Sequence, residues 1–263
     1  MNSGTHPTLV ESAFRGHRWP AVVLAVIVPA LCLGWIAAMG LDMYGPMSGA
    51  SAWMMTPTWD AAHLVLLWAM WAAMMLGMML PSAVPLLLLY GSAARSHHER
   101  SVAAARIYLL AAGYATAWIS FSVGATLLQR QLSSWLIVSP MMEFTTPLAG
   151  AVVLLVGGLY QLSPLKAACL RVCRTPLGFL MRRWRPGAAG AFRMGAEHGA
   201  YCVGCCWALM LLLFVGGVMN VAVIAALTTF VALEKLGPFG ARGARVSGGL
   251  LIAAAVWMLA RSS

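Results

Sequence analysis

Charge is what this sequence has least of. Only 9% of its 263 residues are charged, and just 7 are acidic. Soluble domains average roughly 25% charged residues. With 61% hydrophobic residues, there is no stretch from which a separate soluble domain could be built. The motifs of several enzyme classes are missing as well: no phosphate loop, no dinucleotide fingerprint, no nucleophile elbow and no HExxH pair occur in the chain. An ATP-driven motor is therefore excluded, and no Ser/His/Asp constellation can be read as a triad. Cysteine is sparse too, at six residues.

Long apolar runs take the place of these features. Several reach the roughly 20 residues that cross a bilayer as a helix. Backbone polar groups must be satisfied inside each crossing, which selects helices over open strands. The expected fold class is all-α: a polytopic membrane bundle of about seven transmembrane helices, near residues 20–40, 61–90, 105–128, 147–162, 199–217, 219–236 and 246–260. Pro81 and Pro85 are expected to kink the second. The short GGVMN break between the fifth and sixth implies a tight helical hairpin, with Asn220 capping the sixth helix. Residues 1–19 read as a cytoplasmic tail and 20–263 as one integral membrane domain. The first span is expected to be retained. Met39, Gly40, Leu41 and Asp42 follow it where a cleaved signal would carry small residues.

The net charge of +10 does not signal nucleic acid, because the basic residues lie in the loops between spans. With the N-terminus in the cytoplasm, 15 of the 17 Lys and Arg fall on the inner side, and only Arg130 and Arg261 lie outside. The positive-inside rule then orients the chain N-in and C-out in a cell inner membrane. The basic loop 163–198 is expected to lie partly on the inner surface, with Arg on anionic headgroups and Trp184 at the interface; a plain positive-inside loop is the alternative.

This orientation places five of the six cysteines at the cytoplasmic side, where thiols stay reduced and structural disulfides are disfavoured. The stretch EHGAYCVGCCWALM sets His198, Cys202, Cys205 and Cys206 three or four residues apart, on one helical face. Cys169 and Cys173, four apart in CLRVC, repeat the pattern. Thiolate with imidazole suits soft metals, copper first and zinc second. One helix face supplies two or three ligands, so the 169/173 pair is the candidate to complete the shell. Packing is the competing reading, since free Cys is a small buried hydrophobe; Cys32, alone in the first span, fits it best.

Methionine is the second soft donor. Met70, Met74 and Met78 fall four apart, with Met75 and Met79 in the neighbouring row. Thioethers select Cu(I), though Met is also a gap-filler in apolar cores. Met43, Met47, Met54 and Met55 in the first external loop would extend a path of thioethers from the outer face toward the inner thiols. Met78 and Met79, near the Pro81 kink, are expected at the depth of the cysteine stripe. Ionisable groups in the spans are functional candidates by default. Asp60 and His63 open the second span, as cation ligands or as cap and interface residue. Glu143 sits outside beside Met141 and Met142. Glu234 lies near the thiols, as a site residue or paired with Lys235 or an Arg.

Four segments, WAAMMLGMMLPSAVPLLLLY, YQLSPLKAACLRVCRTP, GAYCVGCCWALMLLLFVGGVMN and EKLGP, resemble a bacterial family of predicted metal-binding integral membrane proteins, a family of unknown function. The likeness covers roughly residues 60–258. It implies that the second to seventh spans form one metal-binding unit. One departure is that Cys169 and Cys173 are separated by three residues. The functions in play are a copper-binding membrane protein acting as permease or delivery factor, a membrane subunit of a copper-dependent oxidase or monooxygenase, a thiol–disulfide protein, and a scaffold whose cysteines pack. The first would deliver metal to a partner protein. The third would need its thiols on the oxidising side, opposite to where the charge count puts them.

Overall fold

A computed structural model describes residues 19–45, 52, 54, 59–97, 100–238 and 240–262. These residues are almost entirely helical, and the one β-bridge among them joins Val138 to Phe144. Nine helices of eight residues or more are numbered here: α1 (Val28–Met43), α2 (Ala61–His97), α3 (Arg100–Ser134), α4 (Pro147–Gln161), α5 (Pro164–Arg174), α6 (Pro176–Arg183), α7 (Gly187–Met210), α8 (Val221–Leu236) and α9 (Gly240–Ser262). A π-helical turn, Val23–Ile27, leads into α1.

Five helical stretches are long and apolar enough to cross a membrane: Val23–Met43, Ala61–Ala94, Val102–Ser134, Gly187–Gly216 and Gly240–Arg261. α4 and α5 together would make a sixth, bent by 64° at the break between them. The stretch expected as the sixth span is α8, whose 16 residues extend about 24 Å at 1.5 Å per residue, short of a roughly 30 Å core. The segment 163–198, read from sequence as a loop, is helical almost throughout. It forms α5, α6 and the first half of α7, so the cysteine-bearing helix begins at Gly187. The sequence misled there because Arg, Gly and Pro interrupt the apolar runs, while Pro164 and Pro176 open short helices at their first turn and do not prevent them.

Local chemistry sets the helix ends. Thr146 and Ser163 cap α4 and α5, each followed by a proline at the first helical position. Asn220 caps α8 as expected, its Oδ1 accepting from the N–H groups of Ala222 and Val223. Pro81 and Pro85 lie inside α2, which continues through both. Beside them, the Met79 carbonyl accepts from Ser82 Oγ at 2.7 Å and from Tyr114 Oη at 2.9 Å.

Large apolar side chains lie on the outside of the bundle as well as in its core. Leu31, Leu41, Val65, Leu148, Leu159, Val246, Leu250 and Trp257 point outward, while Gln129, Gln161, Lys166, His198, Glu234 and Lys235 are buried. In a bilayer, lipid would give apolar side chains no reason to prefer the interior, and helix association would rest on close contact and on polar groups. The tightest seam joins α3 to α7. A methyl group at Gly113 would run into the Phe192 carbonyl, and one at Gly195 into the Leu110 carbonyl. α2 packs on α3, α9 on α4, and α5 on α7.

Candidate metal centre

The centre forms where α5 meets the middle of α7. His198, Cys202, Cys205 and Cys206 are all buried, at 3%, 1%, 0% and 0% exposure, so the stripe faces the bundle. All six cysteines are free thiols. α5 is amphipathic and turns Cys173 toward this stripe. Cys173 Sγ lies 3.8 Å from Cys205 Sγ, and Cys205 Sγ lies 3.2 Å from Cys206 Sγ. Cys169, one turn back, packs beside Gly204 of α7. The two cysteine motifs thus converge, as their spacing led us to expect, with Cys173 as the nearer member.

The rest of the centre is polar in a way the sequence pattern did not announce. Lys235, at the end of α8, sends its ammonium inward to Cys202 Sγ at 2.8 Å, Ser82 Oγ at 3.3 Å and Met79 Sδ at 3.7 Å. An ammonium has three donors, and each finds a partner. Tyr114 Oη of α3 lies 3.0 Å from Cys202 Sγ. A positive charge therefore stands where thiolate sulfur would otherwise be alone in apolar surroundings. Met79 joins the centre through Lys235. Met74 and Met78 lie higher on α2, buried in the same core. His198 packs against the rings of Phe179 and Tyr114, with centroids at 5.1 and 6.2 Å, and its Nδ1 has no hydrogen-bond partner.

Glu234 is not part of the thiol group, and its partner is neither Lys235 nor an arginine side-chain charge. It forms an ion pair with Lys166 of α5 at 2.8 Å, both side chains 1% exposed. Arg174 donates to the carbonyls of Glu234 and Gly237 at 2.6 and 2.9 Å, closing the end of α8. Of the polar residues at the head of α2, Asp60 is the helix cap, its Oδ1 accepting from His63 N–H at 2.7 Å. His63 is buried against Trp59, far from the thiols along α2. Met47 and Met55 lie outside the described residues. Lys166, Lys235, Tyr114 and Ser82 were the residues missed. The signal for two of them was present: a lysine within or ending an apolar helix must have a partner.

The donors suit a soft ion: four thiols, one thioether nearby and an imidazole a turn away. Among the described residues, no three His, Cys, Asp or Glu groups already stand in the geometry of a formed metal site. The 3.2 Å between Cys205 and Cys206 is shorter than the ~3.8 Å edge of a tetrahedral thiolate site with ~2.3 Å metal–sulfur bonds. The thiols are gathered, and small side-chain rotations would have to spread them around an ion.

A family model described as PpoB2, copper chaperone, matches residues 68–258. The chain belongs to this copper chaperone family. No curated protein and no solved structure matches it. The region matched contains every cysteine except Cys32, the methionines of α2 from Met70 onward, and both buried lysines. A copper chaperone handles the ion as cargo, and the donor set on α5 and α7 is chemically matched to Cu(I).

Proposed function

We propose that this copper chaperone is a multi-pass inner-membrane protein, N-terminus in the cytoplasm, that holds Cu(I) between Cys173, Cys202, Cys205 and Cys206 and delivers it to a partner protein. The observation that carries the reading is the convergence of Cys173 from α5 on the α7 stripe, with Lys235 buried against Cys202. A thiol cluster that merely packs has no use for a buried ammonium, whereas a Cu(I) bis-thiolate carries one net negative charge for which Lys235 supplies the balance. Cys169 and His198 stand close enough on the same helices to take part in transfer, and Met79 offers a thioether on the α2 side. Copper is the first choice and zinc the second, on donor softness.

The 15-of-17 distribution of Lys and Arg supports the orientation. The amphipathic α5 and α6 support contact with anionic headgroups, with Arg182 and Arg183 exposed beside outward Leu177, Met181 and Trp184. The test is metal content and Cu(I) competition of the detergent-purified protein beside a Cys202/Cys205/Cys206→Ser variant. One thiol-bound copper per chain, lost in the variant, is the expected result. Zinc in its place would shift the assignment of the ion, and no metal in either protein would end the reading.

A further inference from the structure

The thiol centre lies toward one end of the bundle, and a second group of soft donors lies toward the other. Between the head of α2, the C-terminal part of α3 and the chain that follows it is a cavity of about 230 Å³. Met54, His63 and Met142 all line it, and they are 4%, 2% and 3% exposed. We infer that these three residues form a second Cu(I) site, where the ion is exchanged with the far side of the membrane. The inference rests on the copper-handling reading and extends it to residues that the thiol centre does not use.

The first argument is the donor set. Two thioethers and an imidazole are neutral, soft to borderline ligands, and none of the described residues lining the cavity is acidic. Hard cations such as Mg²⁺ and Ca²⁺ need oxygen ligands and charge. Cu(I) accepts thioether and imidazole without either. Gln129, also on the wall, is committed elsewhere: its Oε1 accepts from Trp71 Nε1 at 2.7 Å.

The second argument is the backbone. The non-glycine residues with positive φ among the described residues are Leu136 at 58° and Met142 at 59°, and both line this cavity. That conformation is uncommon for residues other than Gly, Asn and Asp, and it persists where the surroundings over-determine it. Here they do so. Met142 N–H donates to the Ser139 carbonyl at 2.9 Å, Ser139 N–H to the Glu143 carbonyl at 2.8 Å, and Val218 N–H to the Met142 carbonyl at 3.3 Å. A loop that served only to connect α3 to α4 would need no such turn; this one aims a methionine into the cavity.

The third argument is distance. Sixteen residues of α2 separate His63 from Met79, about 24 Å of helix. No single ion can bridge the two ends, so the cavity is a site of its own. His63, Leu67, Met70, Met74 and Met78 share one buried face of α2, and Met43 packs into the same continuous core as the thiols. Neutral ligands hold Cu(I) less tightly than thiolates do. An ion entering at the cavity would therefore move down in free energy toward Cys202, and one leaving would have to be drawn out by a partner.

The test uses the full chain in detergent, with methionine methyls labelled with ¹³C and Ag(I) as the redox-inert probe, confirmed with Cu(I). Single Met→Leu variants assign the signals. At two equivalents of Ag(I) the Met54 and Met142 methyl resonances should shift, and they should do so in the Cys202/Cys205/Cys206→Ser variant as well. Met54→Leu with Met142→Leu should bind one equivalent fewer and take Cu(I) from a chelator at least tenfold more slowly, while keeping the thiol-bound equivalent. Methyl signals unmoved by Ag(I), with wild-type stoichiometry in the double variant, would overturn the inference and leave the thiol reading intact. A serine variant that still bound the thiol equivalent would remove the thiol reading and leave the cavity site standing. If the double variant loses its helical circular dichroism, His63→Phe, which keeps a ring against Trp59, takes its place and must lose the same equivalent.

Discussion

At the scale of single residues, the buried cations make the sharpest claims. Lys235 Nζ lies 2.8 Å from Cys202 Sγ, where on the proposed reading it would balance the charge of a thiolate-bound Cu(I). Replacing it with Met keeps the bulk and removes the charge, so Lys235→Met should weaken Cu(I) binding tenfold or more, about 1.4 kcal/mol, measured by competition with a chromogenic chelator. Affinity unchanged in that variant would mean the ammonium does not serve the metal. Lys166 and Glu234 behave as a pair. Lys166→Met leaves Glu234 buried and unpaired, which should cost about 3–5 kcal/mol, whereas Lys166→Met with Glu234→Leu should recover most of that loss. A double-mutant cycle followed by denaturant unfolding separates the two outcomes. The sequence announced the thiol stripe because three- and four-residue spacing is a local property of one helix. It could not announce which lysine faces which acid: Glu234 and Lys235 are adjacent in the chain, and on a helix adjacent residues point about 100° apart. One meets α5 and the other meets α2.

At the scale of elements, the α3–α7 seam governs where the cysteines sit. Gly195→Ala would drive a methyl into the Leu110 carbonyl, so it should lower stability by about 1–3 kcal/mol, the usual cost of overpacking. Gly124→Ala, on the same helix α3 with nothing within 4 Å of the added carbon, should be neutral or stabilising by up to about 1 kcal/mol. Thermal unfolding of the two variants side by side checks the contrast. Most helices were legible from apolar runs and from caps such as Asn220. α5 and α6 were not, because their hydrophobic residues recur at amphipathic spacing and their basic residues imitate a loop. The 163–198 segment therefore looked like a connection when it is the carrier of Cys173.

At the scale of the whole molecule, the orientation is testable without reference to any ion. Single-cysteine labelling at positions 95, 185 and 241, in a background lacking the native cysteines, should report the cytoplasmic side at all three. Labelling from the outside at 185 would reverse the bundle and carry the thiol centre with it. Composition alone indicated a helical chain with membrane-length apolar runs, and the described residues are almost entirely helical, with five stretches long and apolar enough to cross a membrane. Met79 does come near the thiol centre, through Lys235. That α2 reaches Cys202 through Lys235 and Tyr114 depended on which helices are neighbours, and no local pattern encodes that.

The 64° bend between α4 and α5 has a kinetic corollary. α7 is wedged against α3 by glycine contacts and cannot easily shift. α5 is short, with a break at Ser163 before it and another at Thr175 after it, and Lys166 and Arg174 fasten it to α8. Cys173 is thus carried on a short segment bounded by two breaks, and the three α7 thiols on the wedged helix. If Cu(I) is held between them, its release would depend on α5 parting from α7, with the buried Lys166–Glu234 pair and the Arg174 contacts resisting that separation.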